Sequence, residues 1–264
     1  MAANLRLKSA PDGEPEERTA ELTEHLAELR TRIIRAAVYC AVGMAVMYFL
    51  YRPVYAALAA PINTAMQRLN THGGTPGLPV SGLVYNQFSD AFFQMLQIIM
   101  VGGLVLAVPF VILELWGFVA PGLTPTEKKG VYFVAPMSVV LFMLGVSCAY
   151  LVLPMAVRWF LSYVPPGVSL LQNPMTYIVF AVKMLLAFGL VFQLPVLLMF
   201  LGKVGILTSV IMVRYWRQIA VGLFTVAMVV APSNDPGTML ALAVPLTLLF
   251  FGSIGLVKMV EPKA

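Results

Sequence analysis

The sequence predicts an all-α integral membrane protein of six transmembrane helices with both termini in the cytoplasm. Three observations carry that prediction. Of 264 residues, 60% are hydrophobic and 11% charged, against about 45–50% and about 25% in ordinary soluble domains, and the mean hydropathy is +0.87. Apolar runs recur at the length a bilayer demands, since about 20 helical residues cross about 30 Å of hydrocarbon. Lysine and arginine crowd onto alternate flanks of those runs. A soluble core could not absorb this much Leu, Val, Ala and Phe without leaving large apolar patches in water, so the bilayer is the solvent.

Residues 1–20 are polar, mixed in charge and proline-containing, which predicts a disordered cytoplasmic tail. No apolar segment precedes a small-residue cleavage site, so this stretch does not read as a secretory signal peptide. Beyond it, Leu22, Leu26, Leu29 and Ile33 recur at helical spacing while Glu21, Glu24, Glu28 and Arg32 lie elsewhere on the wheel, predicting an amphipathic surface helix that runs into the first span. The membrane domain is expected over 21–258, with spans near 33–51, 91–119, 131–155, 176–201, 216–230 and 238–257, and residues 259–264 form a short second tail. The fifth span is short: the run 218–230 alone would rise only about 20 Å, so Tyr215 and Trp216 extend it as interfacial anchors or the bilayer thins around it.

Residues 52–90 form the longest outer loop, with Pro53, Pro61, Pro76, Pro79 and the run THGGTPG. Apolar stretches such as 54–60 predict short surface helices there. Pro109, Pro136, Pro154, Pro195 and Pro245 punctuate the spans. Each removes a backbone donor and bends its helix, which a membrane tolerates where neighbouring protein satisfies the freed carbonyl. Orientation follows from the cations: thirteen lie on the flanks 1–35, 119–130, 202–217 and 258–264, three on the opposite set (Arg52, Arg68 and Arg158), and Lys183 within a span. Positive flanks stay inside, which places both termini in the cytoplasm.

The same composition excludes most enzyme chemistry. His25 and His72 are the only histidines, Cys40 and Cys148 sit in apolar runs as free thiols, and no zinc spacing, Gly-rich phosphate loop or G-x-S-x-G elbow occurs. No catalytic group, metal or cofactor is expected. A net charge of +5 reflects the inner flanks rather than a nucleic-acid partner.

Polar groups in and beside the spans therefore carry the functional information. Glu28 stands at the cytoplasmic start of the first span, and Glu127 lies in the cytoplasmic link between the second and third. Two readings compete. One is local pairing, Glu28 with Arg32 at i,i+4 and Glu127 with Lys128 or Lys129, each worth about 0.3–0.5 kcal/mol at most. The other is a receptor for a cationic ligand, because a carboxylate accepts paired hydrogen bonds from a guanidinium. Glu114, Gln193 and Lys183 lie inside spans, where a central charge costs about 2.5–3.5 kcal/mol on insertion scales and should face protein or water. Glu114 lies about a turn and a half above the cytoplasmic end of its span, Gln193 sits mid-span beside Pro195, and Lys183 occupies the outer half of the same helix, where it can snorkel outward. The plain reading of Gln193 is an interhelical hydrogen bond worth about 0.6 kcal/mol. Asp90 with Ser89 reads as an N-cap, and Asp235 in APSNDPG as part of a tight outer turn. An alternative function, a secondary transporter of a small solute, would gather Lys183, Glu114 and Gln193 around a midplane cavity. Their different depths and the lack of an internal repeat argue against it.

The segments LTEHLAELRTRI (22–33), AP (60–61), LELWGFVAPGLTPTEKK (113–129) and LAFGLVFQLPV (186–196) together resemble the TatC subunit of the twin-arginine protein translocase, in order and over nearly the whole chain from Leu22. The resemblance implies a cupped, glove-like bundle of six helices that binds the twin-arginine signal peptides of folded export substrates. Its implied setting is the bacterial cytoplasmic (inner) membrane, together with single-span TatA- and TatB-type proteins and other TatC copies, with transport driven by the proton motive force. By the same resemblance, Glu28 and Glu127 receive the two arginines, Arg30 belongs to the E-L-R segment of the site and Phe118 is the aromatic of the W-x-F-x-A-P motif. Pro61 matches a family proline of the outer loop; Pro121, Pro195 and Asp235 are structural positions; Gln193 and Glu114 are polar groups of the groove. Three departures stand out. Gln193 replaces a Glu found in some relatives, and Glu114 replaces an uncharged Gln. Where the family often reads P-P-D-x-x-S-Q, this chain reads PSNDPGTM, so that Thr238 supplies the hydroxyl but Met239 cannot reproduce the Gln. A ligand with two guanidiniums meeting two carboxylates on one membrane face favours the receptor over local pairing.

Overall fold

A computed structural model describes residues 15–72, 82–119, 125–165, 171–203, 205–231 and 235–261, with side chains described throughout these ranges except at 15–26, 68–72, 82, 119, 125–133 and 260. Within them the order is α1 (Pro15–His72), β1 (Gly82–Leu83), α2 (Asp90–Val119), α3 (Pro125–Leu161), β2 (Leu171–Gln172), α4 (Pro174–Val191), α5 (Leu194–Lys203), α6 (Ser209–Arg214), α7 (Trp216–Val230) and α8 (Pro236–Val260). Five stretches are long and apolar enough to cross a membrane: Ala27–Gln67, Asp90–Phe118, Val134–Leu161, Pro174–Lys203 and Pro236–Met259. The protein is thus a multi-pass membrane protein. The run expected as the fifth span forms a helix of 15 residues, Trp216–Val230, which rises about 22 Å.

The first span departs from expectation. It does not end near residue 51 and give way to short surface helices; α1 runs unbroken for 58 residues through Pro53 and Pro61, and it begins at Pro15, inside the stretch expected as a tail. A proline forbids a helix only if the carbonyl four residues back is left without a donor. Pro61 frees the Ala57 carbonyl, and the Tyr150 hydroxyl of α3 donates to it at 3.2 Å. One residue along, the Tyr177 hydroxyl of α4 donates to the Leu58 carbonyl at 2.9 Å. Leu58, Ala59, Ile62 and Met66 are buried in the main core beside Leu153, Tyr177 and Ile178, so packing holds straight what proline would otherwise break.

Glycines set how closely the helices approach. A Cβ added at Gly103 of α2 would lie 2.7 Å from the Met44 backbone of α1, and one at Gly145 of α3 would lie 2.7 Å from the Phe188 carbonyl oxygen of α4. Small residues let helix backbones touch where lipid offers no hydrophobic drive for association. α4 and α5 form one interrupted span: the helix opens at Phe192 and Gln193, then resumes at Leu194 with Pro195 in its first turn, a position where the missing N–H is not needed. The second core cluster, with Ile112, Trp116, Phe142, Val196 and Met199, packs α2 and α3 on α5.

Beyond the helix ends, β1 and β2 pair in parallel, Gly82 with Leu171 and Leu83 with Gln172. Of the Ser89 and Asp90 pair expected as an N-cap, Ser89 takes the position before α2, its carbonyl accepting from the Phe93 amide at 3.1 Å, and Asp90 does not. It is the first residue of α2, and its Oδ2 accepts from the amides of Asn86 and Gln87 at 3.1 and 3.0 Å and from Asn173 Nδ2 at 2.8 Å. Asn173 in turn caps α4 by accepting from the Met175 amide at 2.9 Å. A carboxylate takes these donors because the loop amides before α2 have no ladder partner of their own. Asp235 is more than a turn residue: it is the N-cap of α8 and accepts from the Thr238 amide at 2.9 Å. At the other end of α8, Glu261 accepts from the Ser209 amide and hydroxyl, each at 2.7 Å, at the start of α6. Those donors, the backbone amide first, hold the Glu261 carboxyl below its ordinary range.

Two outcomes follow from these contacts. Tyr150→Phe should lower unfolding stability in detergent by about 1 kcal/mol by stranding the Ala57 carbonyl, and the loss should vanish in Pro61→Ala, whose amide reclaims that carbonyl; an equal loss in both backgrounds would refute the link. A lowered carboxyl pKa means that ionised Glu261 stabilises the fold above its unfolded value of about 4.3 and ceases to do so as pH falls through the folded value. Hydrogen exchange of the α6 amides should therefore be faster in Glu261→Gln than in wild type at neutral pH, with the difference closing below about pH 4.

Candidate functional site

The start of the α1 span carries charge on successive turns because it lies at the edge of the hydrocarbon. Glu28 and Arg32, four residues apart, stack on one helix face. Arg32 Nε and Nη2 both donate to Glu28 Oε1, at 3.1 and 2.7 Å. The third corner comes from α2: Arg32 Nη1 donates to Glu114 Oε2 at 3.0 Å. Arg35 Nη1 stands 3.9 Å from Glu114 Oε1, and the Tyr39 hydroxyl donates to that oxygen at 3.4 Å. Since Arg32 lies near the start of the α1 span and Glu114 near the end of α2, the two helices run antiparallel, and one guanidinium ties them together.

Exposure grades across this cluster: the side chain of Glu28 is 32% exposed, Arg32 22% and Glu114 14%. Glu114 would be an expensive lone charge in an apolar helix, and the guanidinium answers it. Space for that guanidinium is left by Gly117, where any Cβ would collide with Arg32 Nη1. The local pairing anticipated for Glu28 and Arg32 is thus present. Sequence reasoning missed that Glu114 and Tyr39 join it, although Arg32 and Glu114 lie at comparable distances from the ends of their apolar spans, Ala27 and Phe118. Both of those Arg32 donors, Nε and Nη2, go to Glu28 Oε1, and Glu28 Oε2 has no hydrogen-bond partner among the described residues.

Of the other expected site residues, Arg30 is exposed on α1 with no ion-pair partner among the described residues, and Phe118 is half-buried in the last turn of α2. Glu127 is the third residue of α3; its side chain, like the whole of Pro121, lies outside the described residues. Pro61 and Pro195 occupy the helix positions described above.

Gln193 makes the interhelical hydrogen bond its position suggested, Nε2 donating to the Ser138 carbonyl of α3 at 3.0 Å. Ser138 extends the contact: its hydroxyl donates to the Val134 carbonyl at 2.9 Å and accepts from Trp116 Nε1 at 2.9 Å. Trp116 meets Phe200 of α5 edge-on at 5.3 Å. α2, α3 and the α4–α5 break are thereby joined by polar groups that a hydropathy pattern does not distinguish from ordinary span residues. Lys183 stands apart, exposed, lining a cavity of about 650 Å³ with Gln97, Gln172 and Tyr177. Glu114 is engaged by Arg32, Gln193 by Ser138, and Lys183 by neither, so the midplane site required by a small-solute transporter is not assembled from these three.

Comparison with known proteins places this geometry. Residues 24–245 match the family model of the Sec-independent protein translocase protein (TatC). The Sec-independent protein translocase protein TatC of Deinococcus radiodurans is 35% identical over 246 residues, covering 92% of this chain and 87% of that protein. The corresponding protein of Xylanimonas cellulosilytica is 34% identical over 234 residues, covering 89% and 82%, and a chloroplastic relative from rice is 35% identical over 253 residues. A crystal structure of the twin-arginine translocase receptor TatC superposes with a TM-score of 0.73 at 28% identity, covering 89% of this chain and 99% of that one. With its fold and its sequence both matched over most of their length, the chain belongs to the TatC family of Sec-independent protein translocase proteins.

Proposed function

We propose that this chain is the receptor of a twin-arginine protein translocase in the bacterial cytoplasmic membrane. It binds the twin-arginine signal peptides of folded proteins and passes them across the membrane together with TatA- and TatB-type single-span proteins and further copies of itself, driven by the proton motive force. It makes and breaks no covalent bond. The observation that carries the reading is Glu28 in a chain of this family: a partly exposed carboxylate near the start of the α1 span that Arg32 engages through Oε1 alone. Arginine suits such an acceptor because its planar N–H fork pairs two hydrogen bonds with one carboxylate.

In this reading Glu127 supplies the second carboxylate, Arg30 shapes the charge around the pair, and the Phe118 ring covers the aliphatic stem of a bound arginine. The apolar part of the signal peptide is proposed to lie beside Gln193. Gln193 has no proton to gain or lose there and acts only as a hydrogen-bonding group. Six crossings with both termini in the cytoplasm are supported by the distribution of cations and by α7 as a short additional crossing. The membrane domain then spans 21–258 between cytoplasmic tails at 1–20 and 259–264. Because α7 is shorter than the hydrocarbon is thick, the bilayer thins beside it and the barrier to translocation falls there.

Binding of a synthetic signal peptide to the purified full-length chain tests the site. Glu28→Ala and Glu127→Ala should each weaken binding at least about tenfold, and Arg→Gln changes in the peptide should abolish it. Equal binding by all three proteins would sink the receptor site. Inserting four leucines into α7 adds about 6 Å and should impair export while leaving peptide affinity as it is; unimpaired export would remove the thinning idea.

A further inference from the structure

The resting occupant of the carboxylate site is the chain's own guanidinium. Arg32 spends two donors, Nε and Nη2, on a single oxygen of Glu28 and a third, Nη1, on Glu114. An arriving arginine thus meets a Glu28 already half-neutralised by an internal competitor of identical chemistry. Glu28 alone could not bind both guanidiniums as well as one, and an Arg32 displaced from its only carboxylate would be left as an unpaired, largely buried cation. Such a charge is costly. Glu114 removes that cost, because it holds Arg32 independently of Glu28 from a neighbouring helix. Three features keep Glu114 available for this: it is the least exposed member of the cluster, the Tyr39 hydroxyl and Arg35 steady its other oxygen, and Gly117 leaves the guanidinium room against α2.

We propose that Arg32 and Glu114 set the affinity of the twin-arginine site as an exchange pair: Arg32 occupies Glu28 at rest, and Glu114 receives Arg32 when a peptide guanidinium takes Glu28. The pair acts on the ligand through Glu28, as positioning residues, and the inference rests on the receptor reading of Glu28 given above. It makes a counter-intuitive demand on signs. Removing a cation next to a binding carboxylate should favour a cationic peptide, whereas removing Glu114, which does not touch the ligand, should harm it only while Arg32 is there to compete.

The experiment is a double-mutant cycle on the full-length chain in lipid nanodiscs at physiological salt, where the Debye length of about 8 Å suppresses long-range effects of net charge. The readout is the Kd of a labelled synthetic peptide with adjacent Arg-Arg, with a Lys-Lys peptide as control. Glu114→Gln should weaken Arg-Arg binding about fivefold. Arg32→Gln should tighten it, and Arg32→Gln/Glu114→Gln should bind like Arg32→Gln alone, an outcome that a merely structural role for the ion pair could not produce. Weakening by Arg32→Gln, or the same loss from Glu114→Gln with and without Arg32, would overturn the exchange pair. Glu28→Gln separates the two levels: if it leaves wild-type binding unchanged, the receptor reading itself falls, whereas loss of binding in Glu28→Gln alongside additive Arg32 and Glu114 effects defeats only the exchange.

Discussion

Hydrocarbon offers no hydrogen bonds, so wherever this chain departs from regular helix a neighbour must supply the missing donor or acceptor. Proline-rich α1 depends on it most. At Pro61 the freed Ala57 carbonyl is met by Tyr150 and the adjoining turn by Tyr177, so that α3 and α4 are held to the far end of α1 by the very position that would otherwise break the helix. The α4–α5 opening is answered in the same way, with Gln193 reaching the Ser138 carbonyl and Ser138 passing the connection to Trp116. These polar links are few and weak individually, yet each fixes which helices are neighbours. Close packing at Gly43, Gly103, Gly145 and Gly189 then makes those neighbours hard to rearrange.

Charge obeys the same constraint at the membrane boundary. The Glu28, Arg32 and Glu114 cluster joins α1 to α2 as a structural clamp, and exposure falls across it from Glu28 to Glu114. In the proposed reading, structural and ligand-binding roles share atoms: the outermost carboxylate of the clamp, held by Arg32 through one oxygen, is the one offered to a ligand. Glu114 matters to this clamp, since an uncharged side chain there would leave Arg32 without its second carboxylate.

Much of the architecture was legible in residue order. The apolar runs located α2, the α4–α5 pair and α8 to within a few residues, the prolines marked Pro195 and the α4–α5 opening, and the quoted segments pointed to the TatC family. Two of the misreadings share a cause. The unbroken α1 and the reach of Asp90 to Asn173 each depend on a donor supplied from elsewhere, which local propensity does not contain; the Asp235 cap, by contrast, is local and was open to reading from Asp-Pro-Gly-Thr. In the site, the i,i+4 pair of Glu28 and Arg32 could be read from spacing, but not the arrival of Glu114 from 82 positions away.

By itself the sequence determined the solvent, the helical runs and the positions of scarce charge, because hydrophobic length and charge placement act locally and additively along a chain in lipid. Only the tertiary structure decided which carbonyl each hydroxyl satisfies and which helix shares its carboxylate with Arg32. Those choices turn on distances of about 3 Å between residues remote in sequence, and hydrogen bonds lose their strength within an ångström of that spacing.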